Sequence, residues 1–204
     1  MLTIDLKKEL KRLYTAAANH PVLLEIPPMP YLMINGEGNP NTAPVYQEAV
    51  SALYGLVYTL KFMLKKRGEL EFNVMALEGL WWVDHMAEFS IERKDDWKWT
   101  MMIVLPELIT PEQVEEARAE VLRKKGEPLV QQVRLETYDE GYSAQVMHIG
   151  SYAAEGPTIA ALHQFFHEKG FAPNGKHHEI YLGDPRRTAP EKLRTILRQP
   201  VKRL

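Results

Sequence analysis

The chain has 204 residues, 45% hydrophobic and 25% charged, with a formal net charge of −2 and no cysteine. That length buries a substantial core in one large domain or two small modules, and the near-neutral balance gives no global field toward DNA or a membrane. Disulfide and thiol chemistry are excluded, no apolar run approaches the roughly 20 residues that cross a bilayer, and the expectation is a soluble cytoplasmic protein.

Met1 to Lys8 becomes charged at once and lacks the apolar core of a signal peptide. Leu6, Leu10, Leu13 and Tyr14 recur at helical spacing and predict a short amphipathic helix that needs a surface to lie on. Val22–Ile26 and Tyr31–Asn35 read as strands. The second places Tyr31 and Met33 on one face, Leu32 and Ile34 on the other. The longest helix follows, with Thr42 as its expected cap, Pro44 in the first turn, and Lys65-Lys66-Arg67-Gly68 as its stop.

Phe72 to Trp82 reads as a strand, and after a charged turn Trp97 to Val104 reads as another. Thr110-Pro111-Glu112-Gln113 opens a helix with a capping box, and Gly126 ends it. Gln131–Thr137 and Tyr142–Ile149 are expected to pair as a hairpin. A helix from Pro157 to Lys169 turns Ile159, Leu162, Phe165 and Phe166 inward. The strand Lys176–Leu182 comes next, and Arg194–Val201 forms a last one.

Alternation in Lys176–Leu182 puts His177, Glu179 and Tyr181 on one face and His178, Ile180 and Leu182 on the other. If Ile180 and Leu182 face a core, Glu179 stands at mid-strand on the opposite face. A carboxylate there is either a solvated charge or the polar floor of a pocket.

The halves echo one another. Each runs strand, glycine-rich turn, helix ending in glycine, a strand with a glutamate (Glu78, then Glu179), and a further strand. The fold class expected is α+β: duplicated strand-helix-strand-strand modules forming an antiparallel sheet, with helices on one face and a concave ligand groove on the other. Residues 1–20 are read as a helical extension, 21–108 as the first module and 109–204 as the second, within one domain.

His148-Ile149-Gly150-Ser151-Tyr152, the helix ending in Gly170, Glu179-Ile180-Tyr181, Asp184-Pro185-Arg186-Arg187 and Thr188-Ala189-Pro190-Glu191 come in an order that resembles the GyrI-like small-molecule-binding family. Glu78-Gly79-Leu80-Trp81-Trp82 and Asp95 to Thr100 are similar to its free-standing branch, and the likeness spans about residues 20 to 204. Ser151 stands where that family usually has proline. The resemblance implies a groove for bulky apolar, aromatic or cationic molecules, as in multidrug-responsive regulators, with a buried glutamate as counterion. By position that residue is Glu179. Some free-standing members resemble hydrolases that open the cyclopropane of DNA-alkylating natural products, a detoxification chemistry. Direct DNA binding is not expected, since residues 1–20 hold only one short helix.

The candidate ligand-binding residues are Tyr31, Met33, Glu78, Trp82, Trp97, Trp99, His148 and Glu179, and the candidate catalytic residues are Glu179, Tyr152 and Tyr181. Glu78 is read either as a second groove carboxylate or as a charge near a turn. Four tryptophans within nineteen residues serve as core or as walls for planar ligands, and alternation allows only one of Trp81 and Trp82 to line the groove. His148, His177 and His178 lack the compact spacing of a zinc site, so no metal and no cofactor is expected. The basic residues from Arg186 to Arg203 read as a solvated face, and the expected partner is a small molecule.

Overall fold

The structure is a computed structural model that describes residues 1–85 and 93–204. Part of the charged turn expected between Trp82 and Trp97 lies outside the described residues. In chain order the elements are β1 (Leu2–Ile4), α1 (Leu6–Glu9), β2 (Val22–Ile26), β3 (Met29–Glu37), α2 (Pro44–Lys66), β4 (Leu70–Phe72), β5 (Leu77–Trp82) and β6 (Lys98–Val104). They continue with α3 (Pro111–Lys125), β7 (Arg134–Tyr138), β8 (Gly141–Ile149), α4 (Gly156–Glu168), β9 (Phe171–Pro173), β10 (His177–Tyr181) and β11 (Arg194–Arg203). The class is α+β, as the sequence implies. No described helix is long and apolar enough to cross a membrane.

These elements form two compact units that are not successive stretches of chain. One comprises Met1–Glu9, Met29–Met75 and Val83–Tyr138. Here β3 lies between β6 and β7 in an antiparallel sheet, and β1 pairs with β4 in parallel. Helix α2 buries Ala52, Leu53, Leu56, Leu60 and Leu64, and it packs on β3, β6 and α3. Each such leucine contributes about 1.5–3 kcal/mol by leaving water. Pro44 opens α2 as expected, but the N-cap is Ala43 rather than Thr42 and makes no side-chain cap bond. Helix α3 has its capping box, with Gln113 N–H donating to Thr110 Oγ1, and ends at Gly126 in the left-handed conformation, φ 62°.

The other unit comprises Leu10–Pro28, Ala76–Trp82 and Asp139–Leu204. Its strands run in the order β2-β8-β11-β10-β5, all antiparallel, with β9 against the end of β11. On one face Ala144, Val146, Leu197 and Val201 pack under Leu162 and Phe166 of α4. On the other, Met147, Ile180 and Ile196 are covered by Tyr14, Ala16 and Ala18 from the segment that precedes β2.

Three local expectations change. Helix α1 stops at Glu9, so Leu13 and Tyr14 are not helical. Arg198 Nη2 takes the Leu13 carbonyl at 2.6 Å, and Tyr14 donates its hydroxyl to Glu78, tertiary bonds that outweigh a weak local helix. The stretch Phe72–Trp82 is two strands, β4 and β5, separated by Asn73 to Ala76. Finally, β7 and β8 do not form a hairpin: β7 pairs with β3, and β8 pairs with β2 and β11. Alternation identified both strands, but pairing is decided by distant partners.

Candidate functional site

The register of β10 assembles the site. His177 lies across from Trp81, Glu179 from Gly79 and Tyr181 from Leu77 on β5, while Glu179 faces Leu197 on β11. Directly paired residues share a face. Glu179 is therefore on the face that α4 packs against at Leu197 and Val146. The expected location was the face opposite the helices; in this unit that face is the one under residues 14–18. The buried α4 cluster draws on β8, β9 and β11 and takes no residue from β10 or β5.

Glu179 is held from one side. Tyr181 donates its hydroxyl to Glu179 Oε2 at 2.7 Å, and the Tyr181 hydroxyl oxygen accepts the Trp81 indole N–H at 2.9 Å. The relay fixes Tyr181 as donor and leaves Glu179 Oε1 turned toward His177, whose Nε2 lies 3.3 Å away. Only glycine fits beneath it: a Cβ on Gly79 would come 2.8 Å from Trp81 Nε1 and 3.0 Å from the Tyr181 hydroxyl. Gly79→Ala is thus expected to part Trp81 from Tyr181 and to destabilise the fold by about 1–3 kcal/mol. A lowered urea midpoint together with a shifted tryptophan emission is the measurement that checks it.

Tyr152 sets its ring edge-on to Tyr181, centroids 5.6 Å apart at 74°. Partial burial first, then the charges of Glu155, Glu179 and Asp184, push its hydroxyl up to about 12, so it stays a proton donor at neutral pH. On the same face, among the described residues, His177 Nε2 and Thr195 Oγ1 are buried polar atoms with no hydrogen-bond partner; Thr195 pairs with Tyr181. An unmatched buried group costs about 1–3 kcal/mol, and native proteins keep few without a reason. Two of them share the face of one half-buried carboxylate.

The structure therefore joins Glu179, Tyr181 and Tyr152, and it adds Trp81, Thr195 and His177, which were not among the candidates. Trp82 lies on the other face of β5. Alternation left open which of the two tryptophans shares the glutamate's face, and the pairing of His177 with Trp81 settles it. The Trp82 ring instead carries the Lys176 ammonium 3.5 Å from its centroid.

His148 is held within its own turn. Its ring nitrogens lie 2.9 Å from Thr158 Oγ1 and 3.1 Å from the Ser151 carbonyl, so Nε2 carries the proton and both positions are spent. It braces the turn at Gly150, φ 144°, where a Cβ would come 3.0 Å from Nε2.

Tyr31, Met33, Trp97 and Trp99 belong to the first unit and are buried in it. Trp99 fills its core as a structural residue: it is wholly buried, edge-on to Tyr46, and lies so close over Gly36 that a Cβ there would be 2.1 Å from Cη2. Trp97 has the Lys94 ammonium 5.3 Å from its ring, and Tyr31 lies edge-on to Tyr138.

Glu78 is wholly buried on the face opposite Glu179, since its partner on β10 is Ile180. It joins an ionic network there. His178 lies with Nδ1 2.7 Å from Glu140 and Nε2 3.0 Å from Glu78. Two carboxylate acceptors require a donor at both nitrogens, hence an imidazolium. Arg198 donates to Glu140 at 3.0 Å and to Gln145 at 3.0 and 2.9 Å. Burial alone would push the His178 imidazole down; the charge and hydrogen bond of Glu140, then those of Glu78, lift it to about 8. Burial would likewise raise the Glu140 carboxyl, but the charges of His178 and Arg198 and their hydrogen bonds hold it at about 2.

An α+β fold that presents a half-buried carboxylate among tyrosines, a tryptophan and unmatched polar atoms is that of a small-molecule-binding protein. Comparison bears this out: the chain belongs to the family of the GyrI-like small molecule binding domain, whose model matches residues 20–202. An uncharacterized conserved protein from Listeria innocua is 39% identical at a TM-score of 0.90, over 98% of this chain and 100% of that one. A hydrolase from Listeria innocua is 38% identical at a TM-score of 0.85, with the same coverage of 98% and 100%. The EcmrR C-terminal domain, 12% identical at a TM-score of 0.56 over 91% of this chain and 98% of that one, shares the fold alone. Among curated proteins there is no match.

Proposed function

We propose that this protein is a hydrolase of bulky, aromatic-bearing small molecules, with Glu179 as the general base. The observation that carries the reading is the Trp81–Tyr181–Glu179 relay, which fixes one carboxylate oxygen and leaves the other beside buried unmatched polar groups. The 38% identity to a protein described as a hydrolase supports it. Tyr181 spends its proton on Glu179, so Tyr152 is the donor for the substrate.

The substrate is a cyclopropane fused to a dienone, the class that the family resemblance implies. Glu179 takes a proton from water as the water oxygen bonds to the strained carbon. The ring C–C bond breaks, and its electron pair moves onto the dienone oxygen. Tyr152 stabilises that developing phenolate by a hydrogen bond; the phenolate then takes a proton from solvent, and Glu179 gives the proton it took from water back to solvent. Water is added, and no oxidant or cofactor is consumed.

A second reading, capture of aromatic cations without turnover, draws on the acids Glu155, Glu179 and Asp184 around Tyr152. Incubation with a cyclopropane-bearing alkylator separates the two. The expected product carries the mass of one added water and forms only with the protein present. Tryptophan quenching by the same compound without that product favours capture; neither quenching nor product rejects the site.

A further inference from the structure

We propose that His177 is a positioning residue for Glu179, the two sharing one proton between His177 Nε2 and Glu179 Oε1. The inference rests on the reading of Glu179 as the working carboxylate. His177 is one alternation step before Glu179 on β10 and on the same face, and the two atoms are 3.3 Å apart. The distance is within reach of a hydrogen bond but the two groups are not aligned as one, and among the described residues Nε2 is buried with no hydrogen-bond partner.

Exposure assigns the roles. The glutamate side chain is 13% exposed and the histidine 6%, so a ligand reaches Glu179, and His177 acts through it. The strands on either side set what surrounds His177. Trp81 is its neighbour on β5, and the register continues to Gln199 on β11, whose amide donates to the carbonyls of Gly175 and Pro200. From α4, His163 feels both His177 and His167; burial first, and then those two charges, hold the His163 imidazole below its ordinary range. A charged His177 thus has the Glu179 carboxylate beside it, and the His163 imidazole, whose charged form is disfavoured, near it.

The proton path follows from the pair's geometry. A proton that Glu179 takes from water passes from Oε1 to the adjacent His177 Nε2, and the carboxylate is restored within the same turnover. No bond to the substrate changes in this step: the proton leaves Oε1 and joins the Nε2 lone pair. Loss of substrate contact returns it to water by the reverse route.

The test has two arms. In the first, the His177 ring is titrated by NMR in the wild type and in Glu179→Gln. Sharing predicts that the midpoint drops by about half a unit or more in the variant, because the anion that favours the imidazolium is gone. An unchanged midpoint overturns the proposal, whether or not the protein hydrolyses anything.

In the second arm, the pH profile of kcat/KM is compared between the wild type and His177→Gln, both checked for intact folding by thermal melting. The expected acid limb moves to lower pH in the variant than in the wild type, with kcat lowered about tenfold. A lowered kcat with an unmoved limb means a merely structural role and overturns the proposal. If no substrate is turned over while the NMR midpoint still responds to Glu179→Gln, the pair stands and the hydrolase reading falls.

Discussion

Glu179→Gln is expected to lower kcat/KM for hydrolysis by roughly 10²–10⁴-fold while the protein stays folded. The amide is nearly the same shape as the carboxylate, and its oxygen still accepts the Tyr181 hydroxyl that now lies 2.7 Å from Oε2. Packing around Gly79 and Trp81 is thus preserved, and what disappears is the charge and the ability to take a proton. A general base contributes that range of acceleration, so the loss reads its whole contribution. Rates at saturating and at limiting substrate separate base from counterion. Loss confined to kcat identifies the base. A rise in KM or in ligand Kd by tenfold, about 1.4 kcal/mol, with kcat kept, identifies a counterion to a cationic ligand. Full turnover by the variant would remove Glu179 from the chemistry altogether. Tyr152→Phe is the control: the hydroxyl is lost, the ring edge on Tyr181 is retained, and the effect falls on kcat alone.

What the residues disclosed of this site was set by the range of the interaction. Alternation along one strand is local, and it correctly put His177, Glu179 and Tyr181 on one face and His178 on the other. The choice between Trp81 and Trp82 needed the partner strand, and nothing near residue 81 announces pairing with residue 177. The same distance misled the comparison of Glu78 with Glu179. As equivalents in an internal echo they promise two carboxylates in one groove. Placing β5 beside β10 pairs Glu179 with Gly79 and Glu78 with Ile180, one step out of phase and on opposite faces. His148 stands in a turn motif, and its partner Thr158 is only ten residues on, a short-range bond of the turn before α4. The capping box at Thr110 and the glycine stops at Gly68 and Gly126 were legible because a helix end is written in its own few residues.

The ionic network beneath β10 carries the largest expected effect on stability. Glu140→Gln is expected to destabilise the fold by about 3–5 kcal/mol, a large share of the roughly 5–15 kcal/mol that holds a domain together. The reason is the charge left behind. With Glu140 ionised, His178 and Arg198 are balanced by Glu140 and Glu78, all four buried. Removing one anion leaves an excess positive charge in a region sealed by the segment from Leu13 to Ala18, whose Leu13 and Thr15 carbonyls accept from Arg198 and Gln145. The urea midpoint with its slope is the measurement, and a shift below about 1 kcal/mol would show that the network is not sealed from water. The pH dependence carries the same signature. His178 is raised from 6.5 to about 8, so its contribution is complete below pH 6.5 and is lost as pH rises through 8. Glu140 is lowered from 4.5 to about 2, so its contribution is complete above pH 4.5 and is lost as pH falls through 2. Both losses are largely the same ion pair seen from its two partners, and they are not to be added. Wild-type stability should therefore be flat, as far as this pair is concerned, between pH 4.5 and 6.5, and His178→Gln should abolish the alkaline decline while leaving Arg198 to hold Glu140. An alkaline decline that survives His178→Gln would assign it to another group and overturn the charged imidazole between its two glutamates.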